Sequence, residues 1–342
     1  MSRTVWFVVA LVLSIPALTA GRTLLISVLF LGEFLSEGSW RPLSSITPEV
    51  SVRPLPVRGA GRAIATDLYE RVGAVTASPG LVLVHGLSRQ GKDDLRLRQA
   101  ASLLAHAGWA VAVPTVEGLT VLRLRPDDAV TVSAVIAELA RTDHRPVAIL
   151  AVSLGSGPAL LAAADPSVST DVSAVLALGG YASTTELLRY TLTGGYRFDG
   201  IGGRHPVNPS AIAQFASANA ELVDVAGQRL VDNRDPRVVD DLVAALPQST
   251  RALLAALSPE NVVGRLHAPL FLIHGRDDPA VPFTESLRLE RAARAAGRPV
   301  RVVIVGSVNH VEPTLRFRAL DLMRLGEAFY VFTALSRRTP QI

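Results

Sequence analysis

Five short runs in this chain are apolar along almost their whole length: Gly80–Val84 (GLVLV), Pro146–Val152 (PVAILAV), Val172–Leu178 (VSAVLAL), Pro269–Ile273 (PLFLI) and Val300–Val305 (VRVVIV). A strand with one wet face alternates polar and apolar residues, whereas a strand buried on both faces reads as a continuous apolar run. Trp109–Val113 adds a further strand. Stretches with helical spacing lie between the runs: Lys92–Ala107, Asp127–Arg141, a segment ending at Ala164, Phe283–Ala296 and Leu315–Leu335. Strands alternating with helices predict an α/β fold, a mostly parallel sheet flanked by helices on both faces. Ahead of this alternation, Glu49–Arg58 and Arg62–Val72 read as antiparallel strands of a hairpin around Gly59–Gly61.

Composition agrees with a large core. Of 342 residues, 49% are apolar and 19% charged, which excludes a disordered chain or a coiled coil. The net charge of +4 comes from 34 basic and 30 acidic residues, and Lys92 is the sole lysine. The pI of 9.9 therefore reflects arginine chemistry more than an excess of charge. No basic run is present, so nucleic acid is not an expected partner. With no cysteine, disulfides, thiolate metal sites and a cysteine nucleophile are all excluded.

The N-terminus belongs to a different class. Thr4–Gly21 is 18 residues without a charge; as a helix it would span about 27 Å, close to the hydrocarbon thickness of a bilayer. Arg22 interrupts, and Thr23–Gly32 continues apolar. A cleaved signal peptide, a membrane anchor and an apolar helix docked on the protein's own core are the competing readings, and the small residues a signal-peptide cleavage site needs are poorly matched. The anchor reading makes residues 1–38 a hydrophobic segment joined to the rest by Gly38–Pro48, and locates the chain at the cell membrane. Arg3 and Arg22 flank the segment so evenly that its orientation is open. The expected core then falls in two parts, 39–182 and 266–342.

One block breaks the alternation. Residues 183–265, about 80 residues, are far longer than a normal crossover. Helical stretches Thr185–Leu192, Ala211–Val225, Pro236–Ala245 and Thr250–Leu257, with a Gly-rich loop at Gly194–Gly203, suggest a helical cap inserted at the edge of the sheet.

Four segments carry chemistry, each at the C-terminal end of an expected strand, where open α/β sheets place their sites. In VAILAVSLGSGPALLAA, Ala151-Val152-Ser153-Leu154-Gly155 has small residues two before and two after a serine, as a sharp strand–nucleophile–helix turn requires. Ser156 has Leu154 and Pro158 at those positions and does not fit. In LVLVHGLSRQ, His85-Gly86 ends a strand, and a backbone N–H here, at Leu87, would pair with that of Leu154 to hold an oxyanion. In LFLIHGRDDPAVP, the Gly-x-x-Asp-x-x-Val-Pro spacing selects Asp278 over Asp277 as a group that orients histidine. In VVIVGSVNHVEP, His310 follows the last strand, where a general base would sit.

The order Ser153, Asp278, His310, with His85-Gly86 ahead of it, resembles the α/β-hydrolase superfamily from about Glu49 to Leu335. Within it the chain looks like membrane-anchored bacterial serine esterases related to dienelactone hydrolases, though those hydrolases use a cysteine. The resemblance implies a serine hydrolase of carboxylic esters that needs no metal or organic cofactor. Ser153 would be the nucleophile, His310 the base and Asp278 the acid, with Leu87 and Leu154 forming the oxyanion hole. Residues expected around the substrate are His85, Gly86, Tyr181, Val281 and Val311; the lining by Leu87, Leu154, Tyr181, Val281 and Val311 is apolar and suits a small hydrophobic ester. A peptidase or acyltransferase on the same triad, and a non-catalytic binding protein that kept the fold, are the alternatives.

Overall fold

The computed structural model describes residues 20–73, 78–143, 145–306, 308–309, 312–313 and 319–336. In chain order the core holds helix α1 (20–35), then strands β1 (Val50–Pro54), β2 (Val57–Gly59), β3 (Arg62–Ile64), β4 (Thr66–Arg71) and β5 (Gly80–Val84). Next come α2 (Leu95–His106), β6 (Ala110–Pro114), α3 (Glu117–Thr120), α4 (Pro126–Asp143), β7 (Val147–Val152), α5 (Ser156–Ala163) and β8 (Val172–Leu178). An insertion follows, made of α6 (Thr184–Thr193), β9 (Gly195–Phe198), β10 (Ile201–Arg204), α7 (Pro209–Ala218), α8 (Val225–Asp232), α9 (Val239–Ala244) and α10 (Gln248–Ala256). The core resumes with β11 (Leu270–Gly275), α11 (Thr284–Ala295), β12 (Val300–Val305), the short β13 (Val308–Asn309) and β14 (Glu312–Pro313), and α12 (Ala319–Ser336).

Eight strands form one sheet in the order β1-β4-β6-β5-β7-β8-β11-β12. The first two joins, β1 to β4 and β4 to β6, are antiparallel and the rest parallel. Register puts the C-terminal ends of the parallel strands together: Val84 pairs Ala151, Val152 pairs Leu178, Ile273 pairs Leu178, and Gly275 pairs Val305. The loops after these strands therefore open at one edge. Both faces are covered, which is why the strands could be apolar throughout. On one side α4, α5 and α11 pack Leu139, Leu160 and Leu289 against Val82, Ile149 and Leu272. On the other, Trp109 is fully buried beside Phe329 and Phe332 of α12, at ring distances of 5.8 and 6.2 Å.

The insertion has a small core of its own, built from Leu188, Leu192, Ile212, Leu230, Val239 and Leu246. Arg189 is buried to 1% exposure and is held by Glu186 at 3.0 Å, Asp240 at 2.5 Å and the Pro236 carbonyl. Two sequence expectations are corrected here. Gly194–Gly203 is not a loop but the β9–β10 hairpin, turned at Asp199-Gly200 with φ of 50° and 77°; paired positive φ angles are what an Asp-Gly two-residue turn supplies. The single helix expected over Ala211–Val225 is broken, because Asp224 caps α8 through the Gly227 N–H at 2.8 Å.

A larger correction concerns the N-terminus. The second apolar stretch, counted with the anchor, forms α1 and packs into the core. Phe30 is buried and stacks on Phe329 at 4.1 Å, and Ile26, Leu29, Leu31 and Phe34 join the cluster around Trp109. Glu33, also buried, accepts the Leu43 and Ser44 N–H groups at 3.0 Å each and so fixes the segment that follows. The fold thus needs residues placed outside it. Among the described residues no helix is long and apolar enough to cross a membrane; Thr4–Thr19 lies outside the described residues.

Glu285, in the first turn of α11, ties the insertion to the core. It is 1% exposed and accepts N–H bonds from Ala182 at 2.9 Å and Ser183 at 2.8 Å, where the chain leaves β8 for the insertion. Arg288 lies 3.3 Å from its other oxygen. Burial outweighs these partners and pushes the carboxyl up to about 7.

Two measurements test this architecture. A chain starting at Ser39 should melt about 10 °C or more below one starting at Ala20, since losing the Phe30 cluster costs several kcal/mol; equal melting temperatures would show that α1 is not part of the core. For Glu285, the folded state keeps a proton that the unfolded chain releases between its ordinary pKa of 4.5 and about 7. Its contribution to stability therefore falls by roughly 3 kcal/mol as pH rises through that window. Urea unfolding should show Glu285→Gln gaining on the native protein between about pH 5 and pH 8. A constant difference across that range would mean that Glu285 does not titrate there.

Candidate active site

Ser153 follows the last residue of β7 and opens a tight turn into α5. Its φ is 54°, in the left-handed region that a side chain other than glycine rarely occupies. Such strain persists only where the surroundings impose it, and here they do. A Cβ on Gly155 would overlap the His85 carbonyl oxygen, so the end of β5 presses against the turn. A Cβ on Gly86 would come within 3.0 Å of the Ser153 Cβ and 3.5 Å of its Oγ. Ala151, where a glycine is commoner, is fully buried and fits. The structure thus brings His85-Gly86 directly over the Ser153 hydroxyl, and Ser153 as a whole is 9% exposed.

Ser156 has another task. It is fully buried, and its Oγ accepts the Tyr181 N–H at 3.2 Å, packing the loop after β8.

Of the two carboxylates after β11, Asp277 is exposed and Asp278 is 1% exposed. Asp278 Oδ1 accepts the N–H groups of Ala280 and Val281, at 2.8 and 2.9 Å. This closes a small turn at the same sheet edge as Ser153. His274, at the end of β11, was not singled out from sequence. It is fully buried: Nε2 donates to the Val281 carbonyl at 2.9 Å, Nδ1 meets Ser286 Oγ at 2.7 Å, and Nε2 lies 3.4 Å from Asp278 Oδ2. A carbonyl only accepts, so the proton sits on Nε2. The signal for it was in the sequence, a histidine four residues before Asp278 on a buried strand.

The residues expected around the substrate divide. Leu87, the residue after Gly86, is 41% exposed, and Leu154 is half-buried and packs against the core cluster. His85 is buried: it is 2% exposed, takes the Val116 N–H on Nε2 at 3.0 Å and meets the Gly86 carbonyl through Nδ1 at 2.7 Å. Burial holds its pKa below the ordinary imidazole value, so it is a neutral brace for the Gly86 turn. Tyr181 is corrected too. It is fully buried and its hydroxyl donates to the Leu257 carbonyl at 2.9 Å, out of a substrate's reach. Val281 is likewise 1% exposed; its backbone, not its side chain, serves the site. His310 and Val311 lie outside the described residues. Among the described residues, no group of three or more His, Asp or Glu is arranged to hold a metal ion.

No family model and no curated protein sequence matches the chain. Solved structures do. An acylaminoacyl peptidase from Pyrococcus horikoshii superposes with a TM-score of 0.59 at 17% identity, over 87% of this chain and 44% of the peptidase. A puromycin-hydrolyzing peptidase of Mycobacterium tuberculosis gives 0.55 at 19%, over 85% and 40%. Est1E from Butyrivibrio proteoclasticus gives 0.52 at 14%, over 83% of this chain and 98% of Est1E. The chain therefore spans less than half the length of the peptidases and nearly all of Est1E. Sheet order, the turn at Ser153 and these superpositions together establish that the chain has the α/β-hydrolase fold.

Proposed function

We propose that the chain is a serine hydrolase of carboxylic esters, with Ser153 as nucleophile, His310 as base and Asp278 as acid. The left-handed turn at Ser153, pressed beneath Gly86, is the observation that carries this reading. Backbone strain of this kind clusters at active sites, and a nucleophile turn uses it to stand the hydroxyl clear of the sheet. The burial of Asp278 beside exposed Asp277 supports the choice of acid. Ser153 Oγ would attack the carbonyl as His310 takes its proton. The N–H groups of Leu87 and Leu154 would bind the oxyanion, the alcohol would leave, and water would release the acid. Leu87 and Leu154 offer apolar surface to a hydrophobic acyl or aromatic group. A peptidase on the same residues is the second reading, favoured by the two peptidases among the similar structures.

The same reading attaches the enzyme to a membrane through Thr4–Gly21. Its support is the uncharged sequence of that stretch and the exposed row Leu24, Leu25 and Val28 on α1, which follows directly.

A panel of p-nitrophenyl esters and peptide p-nitroanilides separates the two activities. On the better class, Ser153→Ala should lower kcat by roughly 10⁴-fold or more and Asp278→Asn by roughly 10³–10⁴-fold. Ser156→Ala and Asp277→Asn should each keep most of the rate. Turnover surviving Ser153→Ala would sink the nucleophile assignment, and equal losses at Asp277 and Asp278 would reassign the acid.

Membrane attachment is read by fractionation. The full chain should sediment with membranes and resist a high-salt wash, since a net charge of +4 gives too little electrostatic binding to hold it there. Release by salt would refute the anchor.

A further inference from the structure

Asp278 is held from outside its own loop as well as within it. Ala280 and Val281 fix its carboxylate, and His274 fixes the Val281 carbonyl from the strand beneath. The carbonyl of Asp278 itself accepts a 2.7 Å bond from the hydroxyl of Tyr190, on the first helix of the insertion. Tyr190 is 3% exposed. Burial and the nearby Asp278 and Tyr196 push its hydroxyl pKa up, so it stays a donor at any working pH.

This bond is the centre of a wider joint. Tyr196 of β9 packs edge-on against Tyr190 at 6.1 Å and against Phe283, at the end of the acid loop, at 6.0 Å. His205 lies 5.9 Å from both tyrosines. Further along, Arg288 and Arg291 of α11 sit over Phe198 at 4.8 and 4.1 Å, and Arg288 donates to the Arg197 carbonyl at 3.3 Å. The α6 and hairpin edge of the insertion is thus docked on the segment that carries the acid, by aromatic, cation–π and hydrogen-bond contacts together.

We propose that Tyr190 is a positioning residue for Asp278, so that this edge of the insertion is a fixed part of the reaction centre and not a lid that opens. The proposal rests on the reading of Asp278 as the acid. Its logic is geometric. Rotation of the Asp278 peptide swings the carboxylate away from the imidazole it must orient, and the bond from the Tyr190 hydroxyl to the Asp278 carbonyl opposes that rotation. A misplacement well below an ångström at such a group is enough to slow the reaction. A poorly aligned carboxylate also stabilises the imidazolium less, which lowers the pKa of the base.

The test uses the full chain and the best p-nitrophenyl ester, with rates expressed per fluorophosphonate-reactive site so that misfolded protein does not count. Tyr190→Phe removes one hydroxyl and keeps the ring packing. It should lower kcat about 5- to 30-fold and leave KM within about twofold. The acid limb of the kcat/KM profile should shift down by a few tenths of a pH unit. Tyr196→Leu disturbs the same packing without touching the Asp278 carbonyl and should leave that limb in place. Tyr190→Phe with native kcat per site and an unmoved limb, while Asp278→Asn is inactive, would overturn the proposal and leave the acid in place. An equal shift in Tyr196→Leu would overturn it as well, assigning the effect to packing. If Asp278→Asn keeps native activity, the acid assignment falls and the proposal falls with it.

Discussion

The contact between the end of β5 and the turn after β7 sets the terms for everything else at the sheet edge. The His85 carbonyl stands so close to Gly155 that no side chain fits there, and Gly86 lies against Ser153 with equally little room. Two backbones meet at that distance only if neighbouring parallel strands end in step, which the pairing of Val84 with Ala151 ensures. The cost is a serine in left-handed conformation. It is offset by the strands around it, buried on both faces and unable to relax without opening the core. His85 contributes in a way its sequence motif does not suggest. Its buried neutral ring joins the Val116 N–H to the Gly86 carbonyl and holds the turn that covers Ser153.

The Asp278 side of the edge is organised by hydrogen bonds, where the Ser153 side is organised by steric contact. Asp278 is buried, and its Oδ1 takes two backbone N–H donors, from Ala280 and Val281. Glu285, seven residues on, is buried as well; its two N–H donors and Arg288 do not outweigh that burial, and its pKa rises to about 7. The two carboxylates sit on the same connection, one within the loop after β11 and the other in the first turn of α11. Both serve the insertion, Asp278 by receiving Tyr190 on its carbonyl and Glu285 by gripping the chain where it departs from β8. The insertion is therefore bound to the core at its root and along one edge.

Much of this was legible in the sequence because local rules and global fold agree there. The continuous apolar runs could only be strands covered on both faces, and Val172–Leu178 and Val300–Val305 form strands with those very bounds. The spacing around Ser153 carries its own steric requirement, so a pentapeptide located the turn and rejected Ser156. The choice between Asp277 and Asp278 as the buried carboxylate was also readable, since an aspartate three residues before Val281 can bond that residue's N–H.

Other features were settled by tertiary structure. An apolar helix at 20–35 suits lipid and protein core equally well in sequence; the ring of Phe329 against Phe30, and the two N–H groups received by Glu33, decide for the core. Tyr181 and Val281 flank the site in sequence yet face inward, because side-chain direction follows from packing. His274, Glu285 and Tyr190 matter through partners 7, 102 and 88 residues away. Periodicity and spacing report what a residue needs from its own strand or turn. Contacts across such separations exist only once the sheet has closed, and for that reason the sequence located the Ser153 turn while the fold alone showed what holds Asp278.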